Sequence, residues 1–329
     1  MDTYTLETPG KINLYLEVKG KRADSWHELL TLFYPVRSLS DRIGVCFGGE
    51  GIRIQCSVPG VPVNDDNLIA KAVKAFYAAA GQSCPRMEIT LEKHIPVAGG
   101  MGGGSSDAGA VLKLLQEHSG CPLSSEKLAA AALSVGSDVP YFLDPVPAVG
   151  RGRGEILTPV DLQEDLPLLL IPGCFPISAA WAYRHWQDVP PPKSSDLDDL
   201  LQLLKSRDYA GAGKWLRNDL EPAALRKFPL LARFAGMLRE SGGVPLMSGS
   251  GSTMFALYPD FELRDQAFEN LKSQLEPYNA VLIKSERKGK YHDRKHSESI
   301  AGNIDGKHQT GTFRERRPAD RGEFPRVCR

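Results

Sequence analysis

The sequence predicts an α+β protein of two domains followed by a disordered tail. Three observations lead to this prediction. The chain has 329 residues, which is longer than a domain with a single hydrophobic core usually is. Its first half has separate strand and helix patterns rather than a regular strand–helix alternation. From Ser285 onwards apolar residues become sparse and lose their periodicity, which is typical of a segment that cannot bury enough surface to fold. We therefore expect domains at 1–160 and 161–284, and a disordered basic tail at 285–329.

The first half begins with a clear strand. Residues Ile12 to Val18 alternate between apolar and polar, which predicts a half-buried strand with Lys11 and Asn13 on the same face. Two further short alternations have the same character, at 52–56 and 87–91. Apolar residues at helical spacing predict helices over 67–80, from about 108 to 119 before Gly120, and over 126–135.

The second half is predicted to have one clear strand and several helices. The strand is Leu168 to Ile171, and a proline-rich loop follows at 190–192. Helical spacing recurs at 196–205, 228–241 and 262–275. The segment from Met247 to Tyr258 indicates a glycine turn that leads into a strand.

Composition excludes several classes of protein. Lys plus Arg and Asp plus Glu each number 40, so net charge gives no sign of a nucleic-acid partner. No apolar run approaches the roughly 18 residues that a membrane span needs. The amino terminus lacks a signal pattern, so we expect a cytoplasmic protein. The cysteines form no CxxC pair or Cys/His cluster, and structural zinc is not predicted.

The segment from Pro96 to Ser106, PVAGGMGGGSS, is the strongest chemical signal. It lies between a predicted strand and a predicted helix, a position where backbone N–H groups and a helix N-terminus can hold phosphate oxygens. The alternative is a flexible linker. The loop lacks the lysine of a Walker A motif, and it does not fit GxGxxG, so neither a P-loop nor a Rossmann site is supported.

Four regions together resemble the GHMP kinase superfamily. They are PGKINLYL with KRADSWHELLTLF (9–16 and 21–33), IPVAGGMGGGSSDAG (95–109), VGSDVPYFL (135–143) and MSGSGSTMFALY (247–258). Their order and approximate spacing match the family, and the resemblance covers roughly 5–283. Gly10 replaces the usual Ala, and Ser25–Trp26 replaces Gly–Tyr, so the conformation of that loop stays open. Ala98 to Met101 replaces Gly-Ala-Gly-Leu.

The resemblance implies a two-domain GHMP kinase fold with its active site in the interdomain cleft. It also implies ATP as phosphoryl donor, an expected Mg²⁺, and a small-molecule acceptor that bears a cytidine diphosphate. The acceptor group would be a tertiary hydroxyl of a methylated polyol in isoprenoid precursor synthesis. The alternative within the superfamily is a kinase of the homoserine or mevalonate type. We expect a monomer or weak homodimer, with neither nucleic acid nor membrane as a partner.

The resemblance also implies two catalytic residues. Asp138 matches the catalytic Asp, which would accept the proton of the hydroxyl, and Lys11 matches the catalytic Lys, which would keep Asp138 ionised. Without the motifs, Asp138 is equally well explained as a turn residue and Lys11 as a surface lysine at a strand start.

The remaining candidate residues fall into two groups. The ATP-binding candidates are Asn67, Lys93, Pro96, Val97, Ala98, Gly99, Gly100, Met101, Gly102, Gly103, Gly104, Ser105 and Ser106. The substrate-binding candidates are Asn13, Trp26, His27, Tyr183, Gly249, Ser250 and Gly251, with Trp181 as the rival of Tyr183 for the second aromatic that stacks on cytosine. Asn67 is also a good helix N-cap.

A different class of function stays open at this point. The RGRG segment at 151–154 and the basic tail are compatible with an RNA-binding module. The family instead has a structural strand connection at the position of RGRG, and we prefer that interpretation. Deletion of the tail distinguishes the two, because it should abolish RNA binding in one case and leave kinase turnover intact in the other.

Overall fold

The computed structural model describes residues 3–48, 51–188 and 196–287. The predicted proline-rich loop at 190–192 and almost all of the predicted tail lie outside these ranges. Among the helices of the described ranges, none has both the length and the apolar character that crossing a membrane requires. The described residues belong to one compact unit that ends at Arg287.

The first half is built on a large mixed sheet. Its strands are β1 (Thr3–Lys21), β2 (His27–Phe47), β3 (Ile52–Cys56), β4 (Met87–Glu92), β5 (Ala148–Gly152), β6 (Ile156–Pro159) and, from the second half, β8 (Arg217–Asn218). The order is β3-β4-β2-β1-β8, with β5 on β2 and β6 on β5. The two long strands β1 and β2 pair antiparallel from Thr3 opposite Cys46 to Lys21 opposite His27.

Three helices cover one face of this sheet. They are α1 (Leu68–Ala80), α2 (Gly103–His118) and α3 (Ser125–Val135). Their apolar faces, with Phe76, Val111 and Leu115, form one core with sheet residues such as Ile43 and Ile89. This packing fixes the start of α2 at the edge of the cleft, directly after the glycine loop.

The second half contains a smaller antiparallel sheet in the order β11-β7-β10-β9. Its strands are β7 (Leu168–Ile171), β9 (Val244–Met247), β10 (Met254–Leu257) and β11 (Ile283–Lys284). The helices are α4 (Ala179–His185), α5 (Leu197–Lys205), α6 (Tyr209–Ala212), α7 (Glu221–Lys227), α8 (Pro229–Glu240) and α9 (Phe261–Leu275). Short 3-10 turns lie at Pro140–Leu143, Gly213–Trp215 and Glu276–Tyr278.

The two halves share a hydrophobic core. Ile12 and Leu14 of β1 pack in the same cluster as Leu168 and Leu170 of β7 and Phe255 of β10. The parallel pairing of β1 with β8, Tyr15 opposite Arg217, also joins the halves. The relative position of the glycine loop and the second-half turn is therefore held by buried contacts. The predicted boundary at residue 160 stays a prediction.

Most predicted elements are present within one or two residues of their expected limits. The largest difference concerns β1, which was expected to be half-buried, whereas both faces are buried from Thr8 to Leu16. Helices cover one face and the second half of the chain covers the other. Ser285, the predicted start of the tail, is anchored because its hydroxyl donates to the carbonyl oxygen of Leu166 at 2.6 Å.

Candidate active site

The glycine loop adopts backbone conformations that require glycine at two places. Gly102 has φ 69° and is the N-cap residue of α2, and Gly100 has φ 80°. A side chain at Gly100 is excluded by packing as well, because a Cβ there would lie 2.1 Å from the carbonyl oxygen of Ser248. The N–H groups in the first turn of α2 have no acceptor inside the helix, and the residues that carry them, Gly103 to Ser105, line the cavities described below.

A turn from the second half, the SGSG turn (Ser248–Gly251), lies against this loop. The hydroxyl of Ser248 donates to the carbonyl oxygen of Gly100 at 3.0 Å, and the N–H of Thr253 donates to that of Gly99 at 3.1 Å. Gly249 has φ 55°, and a Cβ there would lie 3.3 Å from the Lys11 ammonium nitrogen. The two glycine segments thus form one surface beside Lys11.

Two cavities meet at the glycine loop. We name the larger one, of about 990 Å³, the acceptor cavity and the smaller one, of about 350 Å³, the donor cavity, after the groups that the sequence analysis expects to bind there. Gly100, Gly102 and Ser105 line both. The acceptor cavity contains Lys11, Asn13, Trp26, His27, Asp138, Tyr183, Gly249 and Ser250 in its lining. The donor cavity is lined by Asn67, Lys93, Pro96, Val97, Ala98, Gly99, Gly103 and Gly104. A group bound in one cavity can therefore approach a group bound in the other across Gly100 and Ser105.

Lys11 is buried at the bottom of the acceptor cavity. Its ammonium donates to the side-chain oxygen of Asn13 at 2.7 Å and to the carbonyl oxygen of Gly100 at 3.0 Å, and lies 3.9 Å from a carboxylate oxygen of Asp138. Burial lowers the pKa of Lys11, and the nearby Asp138 charge opposes this shift. Lys11 and Asn13 lie on one face of β1, as predicted from the alternation.

A chain of hydrogen bonds fixes Asn13. Its amide nitrogen donates to the hydroxyl of Thr31 at 2.8 Å, and that hydroxyl donates to the carbonyl oxygen of Tyr15 at 2.7 Å. The amide orientation of Asn13 is thereby set, with its oxygen toward Lys11. Thr31 supports the site, and the sequence analysis did not identify it.

Aromatic side chains line the outer part of the acceptor cavity. The His27 ring stacks on the Tyr183 ring with centroids 5.1 Å apart, and Trp26 is 52% exposed. Burial, and then the charge of Lys21, lower the pKa of His27, which favours the neutral ring. Ser25 has φ 68°, so the substituted loop keeps a left-handed conformation that glycine would adopt more easily. We call Trp26, His27 and Tyr183 the aromatic trio.

Tyr183 and Trp181 lie on different faces of α4. Tyr183 lines the acceptor cavity, whereas Trp181 packs against Phe228 with centroids 5.5 Å apart and stacks on His185. Trp186, which the sequence analysis missed, also lines the cavity. Tyr183 is therefore the better candidate for contact with a bound base.

On the donor side, Lys93 belongs to a buried ion cluster. Its ammonium contacts carboxylate oxygens of Asp41 and, at 2.8 Å, of Asp107. Asp41 also accepts from the backbone N–H of His94 at 2.6 Å and of Ile95 at 2.8 Å. Burial, with the nearby Asp41 charge, raises the pKa of Asp107 to about 7 despite the opposing Lys93 charge. We call Asp41, Lys93 and Asp107 the buried triad.

Several other ATP-binding candidates have structural roles as well. The side-chain oxygen of Asn67 caps α1 by accepting from the N–H of Ile69 at 2.8 Å. The hydroxyl of Ser106 donates to the carbonyl oxygen of Pro9 at 2.8 Å, and the Met101 side chain is fully buried in the core. A contact of Met101 or Ser106 with ATP would thus use the main chain. Gly249 and Ser250 of the SGSG turn line the acceptor cavity, whereas Gly251 lines neither cavity and lies against the side chain of Met247.

Other lining residues were missed by sequence reasoning. Lys21, Asp24, Ser137, Arg153 and Arg184 all line the acceptor cavity. Lys21 and Asp24 belong to the segment KRADSWHELLTLF, so the charged residues of that segment could have indicated them as lining residues. Arg153 belongs to the RGRG segment, which the sequence analysis interpreted as a structural strand connection, and Arg184 had no signal. The proximity of both to the aromatic trio depends on the fold.

Comparisons with known proteins define the class. The family models "GHMP kinases N terminal domain" and "GHMP kinases C terminal" match residues 67–144 and 200–277. The chain is 35% identical over 291 residues to 4-diphosphocytidyl-2-C-methyl-D-erythritol kinase of a Synechococcus strain, covering 84% of this chain and 92% of that one. It is 37% identical over 268 residues to the enzyme of the same name from Syntrophotalea carbinolica, covering 81% and 93%.

Solved structures agree. A crystal structure of 4-(cytidine 5'-diphospho)-2C-methyl-D-erythritol kinase matches with a TM-score of 0.71 at 34% identity, covering 86% of this chain and 98% of that one. Homoserine kinase from Cytophaga hutchinsonii matches with a TM-score of 0.68 at 16% identity, covering 87% and 95%, which shows the fold alone. The chain belongs to the 4-diphosphocytidyl-2-C-methyl-D-erythritol kinase family of the GHMP kinases. The predicted fold class and family are confirmed.

Proposed function

We propose that this chain transfers the γ-phosphoryl group of ATP to the 2-hydroxyl of 4-diphosphocytidyl-2-C-methyl-D-erythritol in the non-mevalonate isoprenoid pathway. One observation carries the proposal at the level of the site. Lys11 and Asp138 lie together in the acceptor cavity, and Lys11 contacts Gly100, which lines both cavities. The aromatic trio lines the same acceptor cavity. The acceptor cavity therefore offers a reactive end and an aromatic, base-binding end.

Asp138 and Lys11 have complementary roles in this proposal. Asp138 accepts the proton of the acceptor hydroxyl, a group whose high pKa makes a positioned base useful. Lys11 stabilises the Asp138 carboxylate and the charge that develops on the acceptor oxygen. Its two uncharged acceptors, Asn13 and Gly100, hold the ammonium in place without neutralising it.

The donor phosphates lie at the start of α2 in this proposal. Main-chain N–H groups from Gly102 to Ser105 and the positive end of the helix dipole stabilise their charge. Catalysis of phosphoryl transfer depends mainly on such positioning and charge stabilisation.

The residues present fit a Mg²⁺ ion that arrives with ATP. Among the described residues, no group of three or more His, Cys, Asp or Glu side chains is arranged to hold a metal ion. Mg²⁺ commonly keeps several waters and binds through substrate phosphates with one or two protein oxygens. We assign Ser105, which lines both cavities, as the hydroxyl nearest such an ion. Bound there, Mg²⁺ would offset phosphate charge.

The cytosine base stacks in the aromatic trio in this proposal. Stacking of a base on an aromatic side chain contributes about 1–3 kcal/mol. Homoserine and mevalonate have no aromatic base, so the trio favours the cytidine-bearing acceptor over these alternatives. The predictions of a cytoplasmic monomer or weak homodimer without nucleic-acid or membrane partners stay predictions.

A direct test compares acceptors in an assay of ADP release. We expect turnover with 4-diphosphocytidyl-2-C-methyl-D-erythritol and at most weak turnover with the free methylerythritol phosphate, homoserine or mevalonate. Tyr183→Ala should raise the KM for the cytidine-bearing acceptor roughly 5- to 150-fold, because it removes one stacking contact. Trp181→Ala is the matched control for the same helix. Equal use of the base-free acceptor by the unmodified enzyme would contradict the proposal.

A further inference from the structure

Three cationic side chains border the aromatic trio. Lys21 pairs with His27 across β1 and β2, Arg184 follows Tyr183 in α4, and the guanidinium of Arg153 lies over the Trp26 ring, 4.7 Å from its centroid. All three line the acceptor cavity. They come from three separate segments, so their convergence on the trio is a product of the fold.

These cations have little local neutralisation. Among the described residues that line the acceptor cavity, the carboxylates are those of Asp24 and Asp138. Asp24 forms an ion pair with Arg22 at 3.2 Å, and Asp138 faces Lys11. Arg153 lies 3.7 Å from a carboxylate oxygen of Glu155, a long separation that leaves most of its donors available. In the described part of the chain, neither Lys21 nor Arg184 forms an ion pair with a carboxylate.

We propose that Arg153, with Lys21 and Arg184, binds the diphosphate of the acceptor substrate and so makes the enzyme select a nucleoside diphosphate over a nucleoside. This inference rests on the proposed function, in which a cytidine occupies the trio. In that substrate one ribose separates the base from the diphosphate, so cations that border the trio lie within reach of the phosphates. Arginine is especially suited to phosphate because its planar donors bind two oxygens at once.

Arg153 is the most constrained of the three. It follows β5 directly, between Gly152 (φ 70°) and Gly154 (φ 103°), and its side chain is 25% exposed. The contact with Trp26 keeps the guanidinium beside the ring on which the base would stack. A single side chain can thus contact the ring and a phosphate together, whereas Lys21 and Arg184 are exposed and contribute mainly through charge.

Competition with two ligands isolates the phosphate contribution. CDP and cytidine share the base and the ribose, so the ratio of their inhibition constants reports binding of the diphosphate alone. We expect CDP to inhibit at least tenfold more strongly than cytidine in the unmodified enzyme, and Arg153→Gln to reduce this ratio roughly tenfold. The triple variant with Lys21→Gln and Arg184→Gln should bring the ratio close to one. The KM for ATP should not change.

Arg151→Gln is the matched control, because Arg151 belongs to the same RGRG segment but is exposed outside the cavity. It should leave the ratio unchanged. Two results would overturn the inference. In the first, Arg153→Gln and Arg151→Gln give the same ratio of the inhibition constants of CDP and cytidine. In the second, Arg153→Gln weakens the binding of CDP and of cytidine by the same factor. The second result would mean that Arg153 acts only by supporting Trp26. Failure of the proposed function is distinguishable, since the unmodified enzyme would then not turn over the cytidine-bearing substrate.

Discussion

Two buried lysines lie on opposite sides of the glycine loop, and their surroundings differ. Lys93, on the donor side, contacts two carboxylates that are themselves buried. Lys11, on the acceptor side, contacts an amide oxygen and a carbonyl oxygen, and its nearest carboxylate, Asp138, is 3.9 Å away and 33% exposed. The first ammonium is fully neutralised, whereas the second keeps an open side toward the cavity.

The pKa values express the same contrast. The Asp107 and Asp41 charges outweigh burial and raise the pKa of Lys93, while burial outweighs the Asp138 charge and lowers the pKa of Lys11. A lysine with a complete set of carboxylate partners stabilises the fold, because its charge has nothing further to bind. A buried lysine with an incomplete set is available to a substrate. The contrast predicts that a change at Asp138, beside Lys11, reduces activity and that a change in the buried triad reduces stability.

The largest effect is expected for Asp138→Asn. This change keeps the shape of the side chain but removes the base, so kcat should fall by about 10²–10⁴ in an assay of ADP release. Because Asp138 is partly exposed, the free energy of unfolding should change by about 0.5 kcal/mol or less. Asp144→Asn, at an exposed Asp nearby, is the control. A near-normal kcat for Asp138→Asn would contradict the proposed role of Asp138 as the base.

Lys93→Met, in contrast, should mainly lower the free energy of unfolding. It leaves the buried carboxylates of Asp41 and Asp107 without a counter-charge, and breaking such a buried pair costs about 3–5 kcal/mol. Urea unfolding should show this loss. Adding Asp41→Asn and Asp107→Asn should recover part of it, because no uncompensated charge then remains. If Lys93→Met unfolds at the urea concentration of the unmodified enzyme, the triad does not stabilise the fold.

The smallest effect concerns Lys11 and pH. Burial lowers the pKa of Lys11 in the folded state below its ordinary value of 10.5. At pH values between the folded-state pKa and 10.5, the unfolded chain therefore binds more protons than the folded one. Over that window the contribution of Lys11 to the free energy of unfolding therefore rises with pH. Subtracting the unfolding free energies of Lys11→Met from those of the unmodified enzyme, at pH 7 to about 10, should give a rising difference. The exposed Lys113→Met should give a flat difference, and a flat result for Lys11 would mean that burial does not lower its pKa.

The sequence was sufficient to predict those features of the site that depend on residues close together in the chain. Alternation placed Lys11 and Asn13 on one face of β1, and the glycine loop was recognised from its position between a strand and a helix. The buried triad could not be predicted, because Asp41 lies on a strand 52 residues from Lys93. The long strand β2 was also missed. From Thr31 to Val36 it is buried on both faces, so that part has no alternation to detect. In the alternating part that follows, one of the buried positions is the charged Asp41, which interrupts the apolar pattern.

Tyr183 and Trp181 show a different limit. Two positions apart in a helix are about 200° apart around its axis, so the two rings had to face in different directions. Periodicity alone did not say which direction was the cavity. That answer required the packing of α4, in which Trp181 lies against Phe228 and Tyr183 lies beside His27.

The contact of Ser248 and Thr253 with Gly100 and Gly99 has a consequence for how this enzyme can change. The nucleotide loop belongs to one half of the chain by sequence, but its shape is held by the other half. Chimaeras that join the first half of this chain to the second half of a distant relative must therefore preserve the surface around Ser248. The glycine loop and the SGSG turn are therefore expected to change together.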